Sequence, residues 1–596
     1  MTPGDAKIVI FDGDCSFCRL WVEFWRKLTG DTAEYRPYQG DGDAMSGIPR
    51  EEARARIQLL ANGARYQGAH AVFQLLSGLP AYSWAAWAYR KLPGFSFFSE
   101  AAYTLIAAHR NAAYRVTRLL WGGSVEPPSY RISIAIFARA IALIYAVAFA
   151  SFGMQARGLI GSDGILPVGD FLAGVRANYG SGVFWRLPTL FWWAHSDFTI
   201  LSIAWGGFAI ALVTALSRRP EGGYAKAAFA LLWFYYLSIV MAGQVFMSYQ
   251  WDLLLLEAGF LVIFLRPAWP RIWLFQWLIF RLMFESGLVK LQSGDPTWRN
   301  LTALAYHYQS QPLPTVFAWY MFKLPLWFQK ASTLFTFGVE LGLPLLMFGP
   351  RRLKQIAAIG TICLQTLIFL TGNYTFFNLL AIALSLFLLD DAFWRGLFRR
   401  PASVTTPPAY ANRFVTAALF VTIMLLSCTQ LMAMFGSAPR ALRRIADAVE
   451  PFGIVNGYGL FAVMTTTRPE IEIEGSRDGA TWQPYIFRYK AGPLNRAPGW
   501  VQPLQPRLDW QMWFAALGTY RESPWALRFV LKLLDGSKPV LALMERDPFF
   551  GTPPAYIRAT VYDYRFTSFE ERRRTGNWWK REMLGPWLPP VSLKGR

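Results

Sequence analysis

The chain is poor in the residues that build disulfide scaffolds and metal centres, with four cysteines and four histidines in 596 residues. So few cysteines exclude a secreted fold stapled by disulfides. Charge is scarce too, at 16% of residues, and lopsided: 59 Lys+Arg stand against 38 Asp+Glu, a formal net charge of +21. No G-x-S-x-G elbow, Walker loop or dinucleotide fingerprint occurs. Those absences remove the usual lipase nucleophile and ATP-driven chaperoning. No 20-to-50-residue repeat or low-complexity tract is visible. The opening MTPGDAKIVIFDGD has no basic leader before an apolar stretch, so a secretory signal is not expected there.

What is abundant is apolar: 54% of residues are hydrophobic and 17% aromatic, including 26 Trp and 47 Phe. That composition excludes disorder and leaves two explanations for the positive charge, nucleic-acid binding or orientation in a membrane. Residues 1–131 carry +3, residues 132–435 carry +10 and the remainder +8. No region is a polycation, and nucleic acid is not an expected partner.

Apolar runs long enough to cross about 30 Å of hydrocarbon begin only at Ile132. The pattern predicts about nine spans: Ile132–Phe152, Phe198–Leu216, Ala225–Met247, Tyr249–Leu265, Ile272–Val289, Leu326–Phe348, Ile356–Thr371, Tyr374–Leu389 and Arg413–Phe435. Strict alternation gathers the basic clusters on one side: Arg218 and Arg219, Arg266 and Arg271, Arg351 with Arg352 and Lys354, and Arg395 with Arg399 and Arg400. By the positive-inside rule this predicts a cytoplasmic N-terminus and an extracytoplasmic C-terminal domain. Three domains are expected, residues 1–128, 129–435 and 436–596. The last is expected to be mostly β, because EIEIEGSRDGATWQPYIFRYK alternates around a turn and Ala555–Phe566 reads as a strand. Arg rather than Lys at the cytoplasmic ends favours a bacterial inner membrane, with the endoplasmic reticulum membrane as the eukaryotic counterpart.

The N-terminal region carries chemistry. KIVIF is bounded by Asp12-Gly13-Asp14, and Cys15-Ser16-Phe17-Cys18 then opens a helical pattern. A cysteine at a helix N-terminus has its thiolate stabilised by free backbone N–H groups and the helix dipole, and a second cysteine three residues on can resolve a mixed disulfide. Structural cysteines, a zinc site and a haloacid-dehalogenase-type reading of FDGD compete with that assignment. Ionisable residues inside the spans raise functional suspicion: Arg139, Asp252, Glu257, Arg281, Glu285 and Glu340. Arg281 and Glu285 are spaced to pair on one helix face, while Asp252 and Glu257 are candidates to face an aqueous cavity. In a long outer connection Asp295, Trp298 and His307 suit either capping the bundle or client contact. Cys363 and Cys428 read as buried, inert thiols.

VIFDGDCSFC, with GARYQGAHAVFQLL and AAYTLIAAHRNAAYRV, resembles the DCC (DUF393) thiol-disulfide oxidoreductases. That resemblance implies a thioredoxin-like α/β fold, catalytic Cys15 and Cys18, a protein-disulfide reductase activity, and a thiol electron donor or disulfide substrate as partner. It implies no bound cofactor or metal beyond the dithiol itself. From about residue 130 onward, YQWDLLLLEAGFL, RLMFESGLVKLQSGDPTWRNLTALAYHYQSQPLPT and FGIVNGYGLFAVMTTTRPEIEIEGSRDGATWQPY resemble the lipase maturation factor family. This implies a membrane protein that helps exported clients such as lipases fold, by non-enzymatic chaperoning. The alternative is a membrane-embedded modifying enzyme, because that bundle is distantly similar to vitamin K-dependent carboxylases.

Overall fold

The computed structural model describes residues 7–40, 47–79, 82–123, 125–398 and 412–593; Arg399 and Arg400 lie outside them. The chain divides into two compact units, one of residues 1–129 with 349–355 and one of 130–348 with 356–596.

In the first unit β1 (Lys7–Phe11) leads into α1 (Ser16–Thr29), followed by β2 (Ala33–Pro37), β3 (Gln58–Ala61) and β4 (Ala64–Gln67). The sheet order is β2-β1-β3-β4. β1 and β2 run parallel, while β3 is antiparallel to both β1 and β4. Val9 and Phe11 on one face of β1 pack with Leu59, Leu75 and Val22 of α1, so the buried strand carries α1 directly to the end of the sheet. Arg26 and Lys27 sit in the last turn of α1, where positive charge complements the helix dipole. Gly30, at φ +53°, ends the helix.

Among the described residues six helices are long and apolar enough to cross a membrane: α2 (Arg131–Gly153), α3 (Asp197–Leu216), α4 (Gly223–Ala242), α6 (Trp269–Gln292), α8 (Arg351–Thr371) and α9 (Arg413–Met434), all in the second unit except the first turn of α8. At 20 to 24 residues each, they are about 30–36 Å long. The count becomes seven if Phe377–Leu388 and Asp391–Phe398, bent by 100°, form one span. Two of the nine expected runs, Tyr249–Leu265 and Leu326–Phe348, do not form one long helix, each for a physical reason. In α5 (Gln250–Ile263) only 14 residues are helical, and Trp251, Leu254, Leu255, Leu256, Ala258 and Leu261 are buried on every face. α5 is therefore a core helix wrapped by protein. The run from Leu326 breaks up because α7 (Leu326–Phe337) passes through a π turn at Gly338–Gly342 before Pro344. A proline removes a donor and its ring clashes with the carbonyl four residues back.

Beyond residue 436 a sheet forms in the order β10-β9-β5-β6. It is built from β5 (Pro469–Ser476), β6 (Gln483–Pro484), β9 (Tyr556–Phe566) and β10 (Trp579–Val591), and a small pair joins β7 (Ile486–Phe487) to β8 (Met544–Arg546). The expected hairpin turn is present, with Asp478 Oδ1 accepting from the N–H groups of Ala480 at 2.8 Å and Thr481 at 2.7 Å. The expectation of a mostly β domain needs amending, since helices Arg440–Val449, Arg507–Ala516, Pro524–Leu534, Lys538–Leu541 and Phe569–Thr575 together contribute as much of this region as the strands. Most of its buried apolar residues belong to the same hydrophobic core as the bundle.

Candidate functional site

Cys15 is the N-cap of α1, and its sulfur accepts from the Cys18 N–H at 3.2 Å. Both cysteines are free thiols and partly exposed. The Cys15 thiol is held down to about 6, first by its hydrogen bond with Cys18 and then by the Arg110 guanidinium; burial and the Asp12 carboxylate oppose the shift. The same bond and burial push the Cys18 thiol far above the usual range. One sulfur is thus poised as thiolate and the other kept as thiol, the asymmetry that attack and resolution need.

The Asp12-Gly13-Asp14 loop is a positioning device. Asp12 Oδ1 accepts from Asp14 N at 3.1 Å and from Gln39 Nε2 at 2.9 Å, and Asp12 Oδ2 accepts from Arg110 Nη1 at 3.1 Å. Gly13 N donates to Gln39 Oε1 at 3.0 Å, and a Cβ at Gly13 would meet Pro37 Cβ at 2.8 Å, so no larger residue fits between loop and strand. Arg110 also donates to the carbonyls of Arg54 (2.8 Å) and Ala55 (2.7 Å). A cavity of about 60 Å³ beside Cys18 is lined by Trp21, Arg56, Ile57 and Tyr103 among others. Gln39, Tyr103 and Arg110 escape sequence reasoning because Arg110 meets Asp12 across 98 positions with no spacing to announce it. Alkylation of Cys15 should rise about tenfold per pH unit below 6 and level off above about 7, since only the thiolate reacts. Arg110→Met should move that midpoint upward, as read by iodoacetamide kinetics on the full chain.

The ionisable residues of the bundle are brought together, but with partners other than those expected. Arg281 pairs with Glu257 of α5, not with Glu285 four residues on. A non-helical segment, residues 453–459, lies between α5 and α6, and side chains satisfy its backbone. Glu257 Oε2 accepts from Asn456 N at 2.9 Å and Tyr458 Oη at 2.8 Å, Arg281 donates to Asn456 O at 3.0 Å, and Glu285 accepts from Tyr458 N at 2.9 Å. Irregular backbone at membrane depth survives only where protein supplies its hydrogen bonds. Asp252 is clasped by Arg507, with both contacts at 2.9 Å, and by the Tyr236 hydroxyl. Asp252, Glu257, Arg281 and Glu285 are all fully buried, so the expectation of carboxylates facing an aqueous cavity gives way to a clamp between bundle and C-terminal residues. Arg507 is a member that the sequence did not mark. Lys290 pairs with Glu340 at 2.9 Å, and Arg139 donates to the carbonyls of Ala215 and Ser217 at 3.1 Å.

The connection that follows α6 is a cap. Asp295 accepts from Thr297 N at 2.7 Å and from Met464 N at 2.5 Å, and the Trp298 indole donates to Phe461 O at 3.0 Å. Trp298 is 2% exposed, which removes it from any client-facing surface. Burial and the Lys290 charge hold the His307 imidazole down to about 4, so it is neutral. Cys363 lies on the outward face of α8 and Cys428 is half-buried.

Comparison with known proteins covers both units. Three family models match: the lipase maturation factor transmembrane domain over residues 132–396, the lipase maturation factor C-terminal domain over 454–589, and a DCC1-like thiol-disulfide oxidoreductase over 9–116. Lipase maturation factor 2 of Gallus gallus is 35% identical over 597 aligned residues, covering 78% of this chain and 82% of the relative. The Homo sapiens protein of that name is 35% identical, covering 78% and 83%. Lipase maturation factor 1 of Bos taurus is 34% identical, covering 77% and 88%. No solved structure matches the chain.

Proposed function

The chain belongs to the lipase maturation factor family, and from that premise we propose that it is a membrane-embedded maturation factor for exported, lipase-type clients whose N-terminal domain exchanges thiols and disulfides through Cys15 and Cys18. The observation that carries the redox half is the depressed Cys15 thiol at the N-terminus of α1 beside a protonated Cys18. The mixed four-stranded sheet, with β3 antiparallel to its neighbours and α1 leaving the end of β1, supports a thioredoxin-like reading of this domain. In the reaction Cys15 thiolate attacks one sulfur of a substrate disulfide and the other sulfur leaves as a thiolate that takes a proton. Cys18 then loses its proton and attacks Cys15, releasing the second substrate sulfur and leaving a Cys15–Cys18 disulfide. Two electrons pass to the substrate, and an external thiol donor must return them.

Contacts between helix ends support a nine-crossing path with the N-terminus in the cytoplasm. One set of ends meets itself: Arg131 N with Asp391 at 3.1 Å, Ser133 Oγ with Leu389 O at 2.6 Å, Arg139 with the end of α3, and Arg271 with Thr416 at 3.0 Å. The opposite set meets itself and residues 501–507: Gln155 with Arg507 N at 2.9 Å, Asp252 with Arg507, Asn373 with Val501 N at 2.8 Å, and Gln292 with Met434 O at 3.2 Å. α4 ends in the second set and α6 starts in the first, so the short α5 has to carry the chain back. The basic residues Arg218, Arg219, Arg266, Arg271 and Arg395 lie at or beside the helix ends of the first set, and residues 501–507 of the C-terminal region meet the second. Under the positive-inside rule that region is extracytoplasmic, in a bacterial inner membrane or, in a eukaryote, the endoplasmic reticulum membrane. The carboxylase-like alternative loses ground because its would-be site residues are committed to the clamp. The test is the specific activity of an exported lipase co-produced with the full chain. It should fall severalfold when the chain is withheld, with lipase synthesis unchanged; equal specific activity across a panel of exported lipases overturns the proposal.

A further inference from the structure

A cavity of about 280 Å³ lies among α6, α7 and α8, its surface mainly apolar with polar side chains set into it. This is near the lower end of small-molecule sites, roughly 300–1,000 Å³, so it suits one apolar chain rather than two. Phe317, Phe335 and Leu367 border it and are themselves exposed. Phe335 and Leu367 belong to α7 and α8, so in a bilayer this border meets hydrocarbon rather than water.

Most polar groups of the wall are committed, the Tyr308 and Ser332 hydroxyls excepted. Lys290 spends its three N–H bonds on Ser286 O at 2.9 Å and on Glu340 Oε1 (3.0 Å) and Oε2 (2.9 Å). Gln365 accepts from Asn378 at 2.7 Å. His307 is different. Its Nε2 lies 3.2 Å from Tyr374 Oη, and that hydroxyl gives its own proton to Gln311 Oε1 at 2.9 Å. Gln311 Nε2 in turn donates to the carbonyls of Tyr308 (3.3 Å) and Thr371 (3.0 Å), which fixes Oε1 as the acceptor. Tyr374 can therefore only accept from His307, the imidazole proton sits on Nε2, and Nδ1 is a bare lone pair. Among the described residues Nδ1 is the one buried side-chain polar atom of this wall without a hydrogen-bond partner. An orphan acceptor in an apolar cavity carries a desolvation cost that a ligand's donor would relieve.

We propose that this cavity binds a single-chain membrane amphiphile whose head is a hydroxyl, donated to His307 Nδ1, with its chain between α6, α7 and α8. A partial glyceride and a prenol share that chemistry. The experiment uses the full chain in phosphatidylcholine vesicles with a diazirine-bearing hexadecanol. Photolabel should map to the cavity-lining Met283, Leu364 and Ile368. Unlabelled 1-oleoylglycerol or geranylgeraniol should displace it about tenfold better than methyl oleate, which has no donor, on the order of one hydrogen bond; the better of the two alcohols identifies the source. His307→Phe keeps a ring but removes the acceptor, and should erase the preference for alcohol over ester while labelling persists. Ser332→Phe should fill the cavity and abolish labelling, and if that variant does not fold the His307→Phe comparison decides alone. Label spread over the lipid-facing surface, or methyl oleate competing as well as either alcohol against the unaltered chain, overturns the proposal.

Discussion

Cys15→Ser should abolish disulfide reduction by the full chain, a loss on the order of a thousandfold or more, because the hydroxyl that replaces the thiolate is protonated at neutral pH and is no nucleophile. Cys18→Ser should behave differently. Cys15, whose thiol is held down to about 6, still attacks, but nothing resolves the adduct, so a mixed disulfide between Cys15 and the substrate should accumulate and survive denaturation without reductant. Cys18 contributes to holding that thiol down, so the serine variant should also shift the pH profile of attack. Mass spectrometry of trapped adducts together with insulin-disulfide reduction separates the roles. If both single variants reduce a model disulfide as fast as the unaltered chain, the exchange chemistry does not reside in this pair.

The second large effect is on stability. Arg507→Leu leaves the Asp252 carboxylate fully buried with only the Tyr236 hydroxyl, and removing one partner of a buried ion pair costs about 3–5 kcal/mol. Arg507 also donates to Phe246 O at 2.6 Å, so its loss should loosen the junction between bundle and C-terminal region before the bundle itself. Thermal unfolding in detergent and proteolysis after residue 436 read this directly. Asp252→Leu combined with Arg507→Leu should recover most of the loss, because replacing both buried charges by hydrocarbon is often close to neutral. If the double variant is as unstable as the sum of the single ones, the pair is not the coupling element.

Much of the chemistry near Cys15 was legible because it is local. A spacing of three residues puts Cys15 at the N-cap of α1 and Cys18 in its first turn, and the glycine between Asp12 and Asp14 marks the tight passage over Pro37. The groups that tune those thiols were not legible: Arg110 and Gln39 reach Asp12 only through folding. In the bundle, the i, i+4 spacing of Arg281 and Glu285 suggested a pair on one helix, but a residue on a neighbouring helix made the closer contact. Apolar run length gave no sign that the runs at α5 and α7 are short or broken as helices. Hydropathy measures what a segment is made of, whereas whether it meets lipid or other helices depends on what packs around it.

The sequence by itself determined that this is a membrane protein with a dithiol at a helix start, and that its largest share of positive charge lies in the membrane region. Periodicity, composition and short-range spacing are properties of contiguous residues and can be read from them. Only the tertiary structure decided that the buried carboxylates hold a non-helical segment and a C-terminal arginine, and that His307 keeps an unpartnered lone pair in an apolar cavity. Those outcomes turn on partners up to 255 positions away, chosen by which donors and acceptors the fold leaves without water.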